Sequence, residues 1–550
     1  MSEVKVAAAQ MRFRAEDVGS NLKKVLGIID EAADHGAKLI ATPECALSGY
    51  VFVDLEHAYE NSISIPSETL NQVCRKAEER EVYVSVGLAE RGSYPTIYNS
   101  GVLIGSNGAI MGIHRKCFLR SSDKIWFSNG DFGCPVFETG IGNVSMLICA
   151  DARIPEVARV EALKGADMII DFACWGSRDQ YLYHTPTRAV ENMVWIIASD
   201  NIGVDLPFKY PGTSFIMSPR GEILAKAGED EEEIIYADID PGEARDKRIS
   251  PRNNIFKDRR VETYGVLKRG VEELPITSIL KRPVVPSDMS ISATALQVKA
   301  ISGDVESNVE KILSLTKLSA KHAANLIVLP ELSISGYSFS DRREALKAAV
   351  EIPGRITDRI SQISKDYGCY VVAGAVEKDG DKLYNTAFLA GPEGFMAKYR
   401  KTHLWNKEKI WCSPGESEYP VLKTRFGNLG IMIGYDGFFP EVPRILTLKG
   451  ADIIAWPCNW TRQIYPRYIC PERALENRVF VVAASGLGTL NGERLVGQSM
   501  IVDPLGRILS VGNDRREDYV SFRAMDLVLS RIKNIDPKTR VCPLNLKMDL

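Results

Sequence analysis

Residues Gly142–Arg159 read GNVSMLICADARIPEVAR, and residues Gly427–Arg444 read GNLGIMIGYDGFFPEVPR. Each stretch opens with a β-rich apolar run, Val144–Cys149 in the first copy, of the kind a buried strand needs. Each then turns within a few residues into a helix; in the first copy proline takes the first helical position, where its missing N–H costs nothing. The two copies therefore encode the same strand-to-helix corner. They differ at the corner residue itself, Cys149 in the first and Gly434 in the second.

Working outward, the repetition continues in both directions. VAAAQMRFRAEDVGSNLKKVLGIIDEAADHGAKLIATPECALSGY from Val6 matches TALQVKAISGDVESNVEKILSLTKLSAKHAANLIVLPELSISGY from Thr294. HRKCFLRSSDKIWFSNG from His114 matches YRKTHLWNKEKIWCSPG from Tyr399, and RAVENMVWIIASDNIG from Arg188 matches RALENRVFVVAASGLG from Arg473. The spacings agree: Gln10 to Glu44 and Gln297 to Glu331 are both 34 positions, and Lys116 to Cys149 and Lys401 to Gly434 are both 33. The period is far too long for a solenoid, so the chain is a tandem duplication. The first domain is expected at 1–268 and the second at 291–550. The linker between them is expected at 269–290, where LPITSILKRPVVPSD carries three prolines.

Within the first copy, apolar spacing predicts helices over Asn21–Gly36, Ser67–Arg80 and Pro155–Lys164. Strands are expected at Lys38–Ala41, Val82–Leu88, Met168–Phe172 and Val194–Ser199. Asn99–Gly105 and Ala109–His114 flank a Ser-Asn-Gly turn and read as a hairpin. Alternation of strand and helix gives an α/β class with helices over one face of each sheet.

Composition narrows the function. The 550 residues carry 68 Lys+Arg against 71 Asp+Glu, a net charge of -3, with no basic footprint for nucleic acid. No apolar run approaches the roughly 18 residues of a membrane span. The N-terminal apolar run is short and follows an acid, which argues against a secretory signal and for the cytoplasm. Eleven cysteines without paired spacing read as free thiols. Six histidines stand singly, so no zinc ligand set of the usual spacing is present and no metal is expected.

The corner is the first candidate for chemistry, because backbone N–H groups at such a turn can stabilise a thiolate and an oxyanion. Against it stands the ordinary fate of a cysteine, a buried core thiol. A nucleophilic cysteine needs a base. His114 and His403 are not repeated, since their counterparts are Tyr399 and Phe118. Both copies instead keep a glutamate after a strand and proline (Glu44, Glu331) and a lysine after the hairpin (Lys116, Lys401), embedded in ATPECALSGY and MGIHRKCFL. Charges in apolar settings tend to be paired or functional.

TPECALSGY and LPELSISGY, HRKCFL and YRKTHL, and ICADARIPE together resemble the three signatures of the nitrilase (carbon–nitrogen hydrolase) superfamily, over nearly the whole of both copies. The resemblance implies two tandem four-layer αββα sandwich domains, packed as an intramolecular pseudo-dimer. It implies a Glu44–Lys116–Cys149 catalytic set, no cofactor, and cleavage of a nonpeptide C–N bond in a small amide, carbamoyl compound or nitrile through a thioester on Cys149. Substrate contacts are expected from Asp123, the Ala150 backbone N–H and Trp175, with Tyr50, Tyr181 and His184 shaping the pocket. Asp123 and Glu408 occupy the place where many family members carry a second acid; a surface carboxylate is an equal reading for Asp123. Ala-Asp after the cysteine looks more like the amidase and carbamoylase branches than the nitrile-cleaving branch.

The second copy keeps Glu331, Lys401, Tyr435 and Asp436 but has Gly434 at the corner, so it reads as a degenerate site. Cys458 lies one place before the counterpart of Cys174 and reads as core. Two other functions stay open: transfer of the acyl group or of ammonia by the same thioester, and a non-catalytic scaffold. The partner expected is a small molecule, neither nucleic acid nor membrane; a homo-oligomer is compatible with this reading.

Overall fold

A computed structural model describes residues 3–533 of the chain apart from 16, 121–122, 206–207, 282–289, 417 and 491. The expected linker thus falls partly, and residues 534–550 of the expected second domain fall wholly, outside the described residues. Two compact units divide the described chain between Lys247 and Arg248.

The first unit contains two six-stranded sheets. One runs Glu233–Ile239, Val4–Gln10, Leu39–Ala41, Tyr83–Arg91, Ile97–Ile104, Ile110–Arg115. The other runs Ile223–Lys226, Phe215–Met217, Trp195–Asp200, Met168–Ala173, Gly142–Ile148, Val136–Thr139. Their inner faces meet closely: a Cβ on Gly101 of the first sheet would lie 2.5 Å from the Phe172 ring of the second, so only glycine fits there. Helices Val18–Asp34 and Glu68–Arg80 cover the first sheet, and Pro155–Leu163 and Thr185–Asn192 the second. The result is the expected αββα sandwich.

Local chemistry sets the boundaries. Val18–Asp34 buries Leu22, Val25, Ile29 and Ala32, a stripe at helical spacing. It begins three residues before the expected Asn21 because the Asp17 side chain accepts from Ser20 N at 3.0 Å and caps the first turn. Ser67 caps Glu68–Arg80 in the same way, accepting from Leu70 N.

The second unit repeats the plan. One sheet runs Gly394–Arg400, Lys382–Gly391, Tyr370–Asp379, Leu326–Val328, Ser290–Gln297, Asp518–Asp526; the other runs Val421–Lys423, Asn428–Ile431, Ile453–Cys458, Phe480–Ser485, Met500–Val502, Ile508–Val511. The unit starts at Arg248, some twenty residues before the boundary expected from the repeat. The reason is local bonding: Asn253 Nδ2 donates to Leu404 O (2.9 Å), Arg260 to Thr402 O (3.1 Å), and Arg259 pairs with Glu441 (3.1 Å). Tyr264 hydrogen-bonds His403 (2.9 Å), and Ile249, Ile255 and Tyr264 are buried. Within the expected linker, Ile276–Leu280 is a short helix with Ile276 buried. Among the described residues no helix is long and apolar enough to cross a membrane.

Candidate active site

The site of the first unit is assembled at the ends of four segments. Glu44 lies in the tight turn after Leu39–Ala41, Lys116 immediately follows Ile110–Arg115, Asp123 opens a single helical turn, and Cys149 follows Gly142–Ile148. Glu44, Lys116 and Asp123 are all at most 1% exposed. Lys116 Nζ donates to Glu44 Oε1 at 2.6 Å and reaches Asp123 Oδ2 at 3.0 Å. Asn99 Nδ2 donates to the same Glu44 oxygen at 2.7 Å, and Tyr50 OH donates to Asp123 Oδ1 at 2.5 Å. The second oxygen of Glu44, Oε2, is buried with no hydrogen-bond partner. Asp123 is therefore part of the site and not a surface carboxylate.

Cys149 stands at the corner with φ +49°, in the left-handed region that side chains rarely adopt. Asp171 Oδ1 accepts its backbone N–H at 3.1 Å. Gln180 Nε2 approaches its sulfur at 3.7 Å, and the sulfur lies 3.7 Å from Cys174 O. Asp151 ties this corner to the lysine: it accepts from Ile148 N and His114 Nε2 with one oxygen, and from Cys117 N and Phe118 N with the other.

The electrostatics follow from burial. Desolvation raises the Glu44 pKa against the opposing pull of Lys116. Burial alone would lower Lys116, but the carboxylates of Asp123 and Glu44 hold it well above the usual lysine value. Burial, then the nearby Glu44 charge, pushes the Cys149 thiol well up. Burial also raises Asp171 to about 8. The set thus rests with a neutral thiol, a charged lysine and a carboxylate of raised basicity, which suits a base that takes the thiol proton only as attack proceeds.

The other expected contacts are each held by neighbours of their own. Trp175 is wholly buried and packs on Phe215 and Tyr181, with its backbone N–H donating to Asp200. His184 joins Arg153 (3.1 Å) and Asp179. Ala150 is buried in the corner turn. Three contacts were not expected from the sequence: Asn99, Asp171 and Gln180. Asn99 had a readable signal, since YNS at 98–100 recurs as YNT at 384–386. Asp171 and Gln180 had none, because their counterparts are Trp456 and Tyr465.

The second unit preserves the charges and rearranges them. Lys401 Nζ binds Glu331 Oε1 (2.6 Å) and both oxygens of Glu408 (3.0 and 2.8 Å), and Asn385 bridges the two carboxylates. Gly434 has φ +47°, and a Cβ there would lie 2.5 Å from Glu331 Oε2. The glutamate therefore occupies the volume a cysteine would need. Glu331 is raised to about 7, chiefly by burial. Trp405, Tyr435, Asn459, Trp460 and Tyr465 line a pocket over this cluster. Cys458 is fully buried and its sulfur donates to Ala484 O.

The family profile described as carbon-nitrogen hydrolase matches residues 5–249 and again 292–532. The chain belongs to the carbon–nitrogen hydrolase family. This hydrolase is 43% identical over 232 residues to the nitrilase of Pyrococcus abyssi, covering 42% of this chain and 88% of that protein. It is 30% identical over 293 residues to the citrullinase of Francisella tularensis, covering 49% and 99%. Among solved structures, an amidase from Nesterenkonia sp. aligns at 22% identity with TM-score 0.41, covering 48% of this chain and 95% of that one. Like its family, this hydrolase acts on carbon–nitrogen bonds other than peptide bonds, and the duplication gives it two family units in one chain.

Proposed function

We propose that the first unit hydrolyses a small amide or carbamoyl compound through a thioester on Cys149. The observation that carries this reading is Lys116, buried between Glu44 and Asp123 within electrostatic reach of Cys149. In this reading Glu44 takes the thiol proton as sulfur attacks the carbonyl carbon. Lys116 and the Ala150 backbone N–H stabilise the oxyanion. Glu44 returns its proton to the leaving amine, and the thioester remains. Water, deprotonated by Glu44, attacks the thioester and releases the acid, which restores the thiol. Substrate contacts are assigned to Asp123, Ala150 and Trp175.

A relative named for citrulline and one named for nitriles bracket the substrate class; the Ala-Asp pair after Cys149 favours the amide and carbamoyl side. The second unit is assigned a binding role without turnover, through Glu331, Lys401 and Glu408 around Gly434. The pseudo-twofold pairing of the units is a further proposal that rests on the duplication.

A screen of small amides, ureas and nitriles with ammonia release as readout tests the reading. Intact-mass detection of an acyl adduct on Cys149 is expected, and Cys149→Ala is expected to lose several orders of magnitude in turnover. Retention of more than a few per cent of the wild-type rate by Cys149→Ala would refute it. An added amine that diverts the acyl group would replace hydrolysis with transfer.

A further inference from the structure

The rim of the first unit's site carries a cation that the reaction does not use. Arg120 follows Lys116 by four residues and precedes Asp123 by three. Its backbone N–H donates to Asp123 Oδ2 at 2.8 Å, the oxygen that Lys116 Nζ also reaches. Its side chain runs to Gly176: a Cβ on that glycine would lie 3.4 Å from Arg120 Nη1 and 3.9 Å from the Phe208 ring. Phe208 in turn packs on Tyr50, whose hydroxyl holds Asp123. The guanidinium is thus placed by groups that also place the catalytic acid.

Gly176 relates this cation to the nucleophile. Cys174 O lies 3.7 Å from Cys149 Sγ, and Gly176 follows two residues later. Two Cα steps span at most about 7.6 Å, a length of a few methylene groups. Gly176 also borders a cavity of about 190 Å³ shared with Arg178 and Lys209. Those two cations already face acids, Arg178 at 4.0 Å from Glu229 and Lys209 at 3.7 Å from Asp230. Arg120 is half-buried, and among the described residues no carboxylate lies at ion-pair distance from its guanidinium. A guanidinium is always charged, and its planar fork of donors matches a carboxylate in bidentate fashion. Lys116 cannot take that part, because Glu44 and Asp123 already occupy it.

The second unit supplies an internal comparison. By the repeat, Arg120 corresponds to Trp405 and Gly176 to Thr461. Both line the pocket over Glu331, Lys401 and Gly434. The same two positions therefore border the site in both copies, and of the two copies the first alone puts a charge there.

We propose that Arg120 is a specificity residue of the first unit, its guanidinium holding a carboxylate at the far end of the substrate while the scissile carbonyl meets Cys149. The inference rests on the thioester reading above and names its substrate class: an amide or ureido compound with a carboxylate a few carbons from the bond that is cleaved. The chemistry at Cys149 is unchanged by it. An ion pair remote from the reacting atoms is made equally in ground and transition states, so its effect falls on KM.

The test compares succinamate, glutaramate and uncharged pentanamide on the full chain, with ammonia release for turnover and calorimetric titration of Cys149→Ala for binding. The better of the two acids is expected to exceed pentanamide at least about tenfold, in kcat/KM through KM and in affinity for Cys149→Ala. Arg120→Gln should bring both ratios near one, Arg120→Lys should keep part of the preference, and Arg120→Glu should turn it toward γ-aminobutyramide. Each ratio compares substrates within one variant, so a partial loss of folded protein cancels. Equal kcat/KM for the acids and pentanamide, a preference unchanged in Arg120→Gln, or neither binding nor turnover of any of the three would overturn the proposal. Binding of an acid that depends on Arg120, with no ammonia released from any amide, would support it and overturn the thioester reading instead.

Discussion

Cys149 and Asp171 share one hydrogen bond that couples the nucleophile's backbone to a titratable group. Asp171 titrates near 8 in the folded chain because it is buried, against about 3.9 unfolded. A raised folded pKa makes its stabilising contribution complete below about pH 4 and lost as pH rises toward 8. Asp171→Asn, which copies the protonated form, should therefore gain stability relative to wild type as pH climbs through that window. Parallel melting curves from pH 5 to 9 check this; a constant difference would refute it. Lys116 supplies a second test. Lys116→Met removes the cation that Glu44 and Asp123 face, leaving two buried carboxylates unpaired at a cost of about 3–5 kcal/mol. Turnover should be lost with it, and Asp123→Asn in the same chain should recover stability but not turnover, as read by urea unfolding and ammonia release.

At the scale of elements, the corner turn sets stability against chemistry. Both copies hold it in the left-handed region, at φ +49° for Cys149 and +47° for Gly434. A side chain there costs about 1–2 kcal/mol relative to glycine. Cys149→Gly should therefore be more stable than Cys149→Ala by about 1 kcal/mol, both being inactive, as equilibrium unfolding would show. Gly434→Cys should lose at least that much, since Glu331 must also withdraw from the Cβ position. Glu331 and Lys401 are both in place around Gly434, but the Glu331 carboxylate lies where the new side chain would go. Sequence alone made the corner legible, as it did the helices and inner strands, because apolar period and repeat spacing are local and redundant. Glu44 and Lys116 were legible for the same reason. Asp171 and Gln180 were not: each comes from a different segment and neither recurs in the second copy. The boundary at Lys247 was hidden too, since a repeat shows where copies align and not which copy a connecting segment packs against.

At the scale of the whole molecule, the segment from Arg248 to Lys268 descends from the first copy by sequence order yet is bonded into the second unit. It grips residues 402–409, the loop that carries Glu408, through Asn253, Asp258 and Arg260. A chain cut after Lys268 would leave Ile249, Ile255, Tyr264 and Val266 without cover, each worth about 1.5–3 kcal/mol when buried. A second-half fragment starting at Arg248 should accordingly melt well above one starting at Ser290, and equal melting temperatures would refute the assignment. The same feature bears on inheritance. A gene for this chain cannot be parted at the midpoint of its repeat and yield two self-sufficient products, because the tail of one copy has become the buttress of the other. Glycine at the second corner then bears on chemistry alone. Loss of the whole second copy would strand an arm with nothing to hold, so selection has reason to keep that half whatever chemistry it performs.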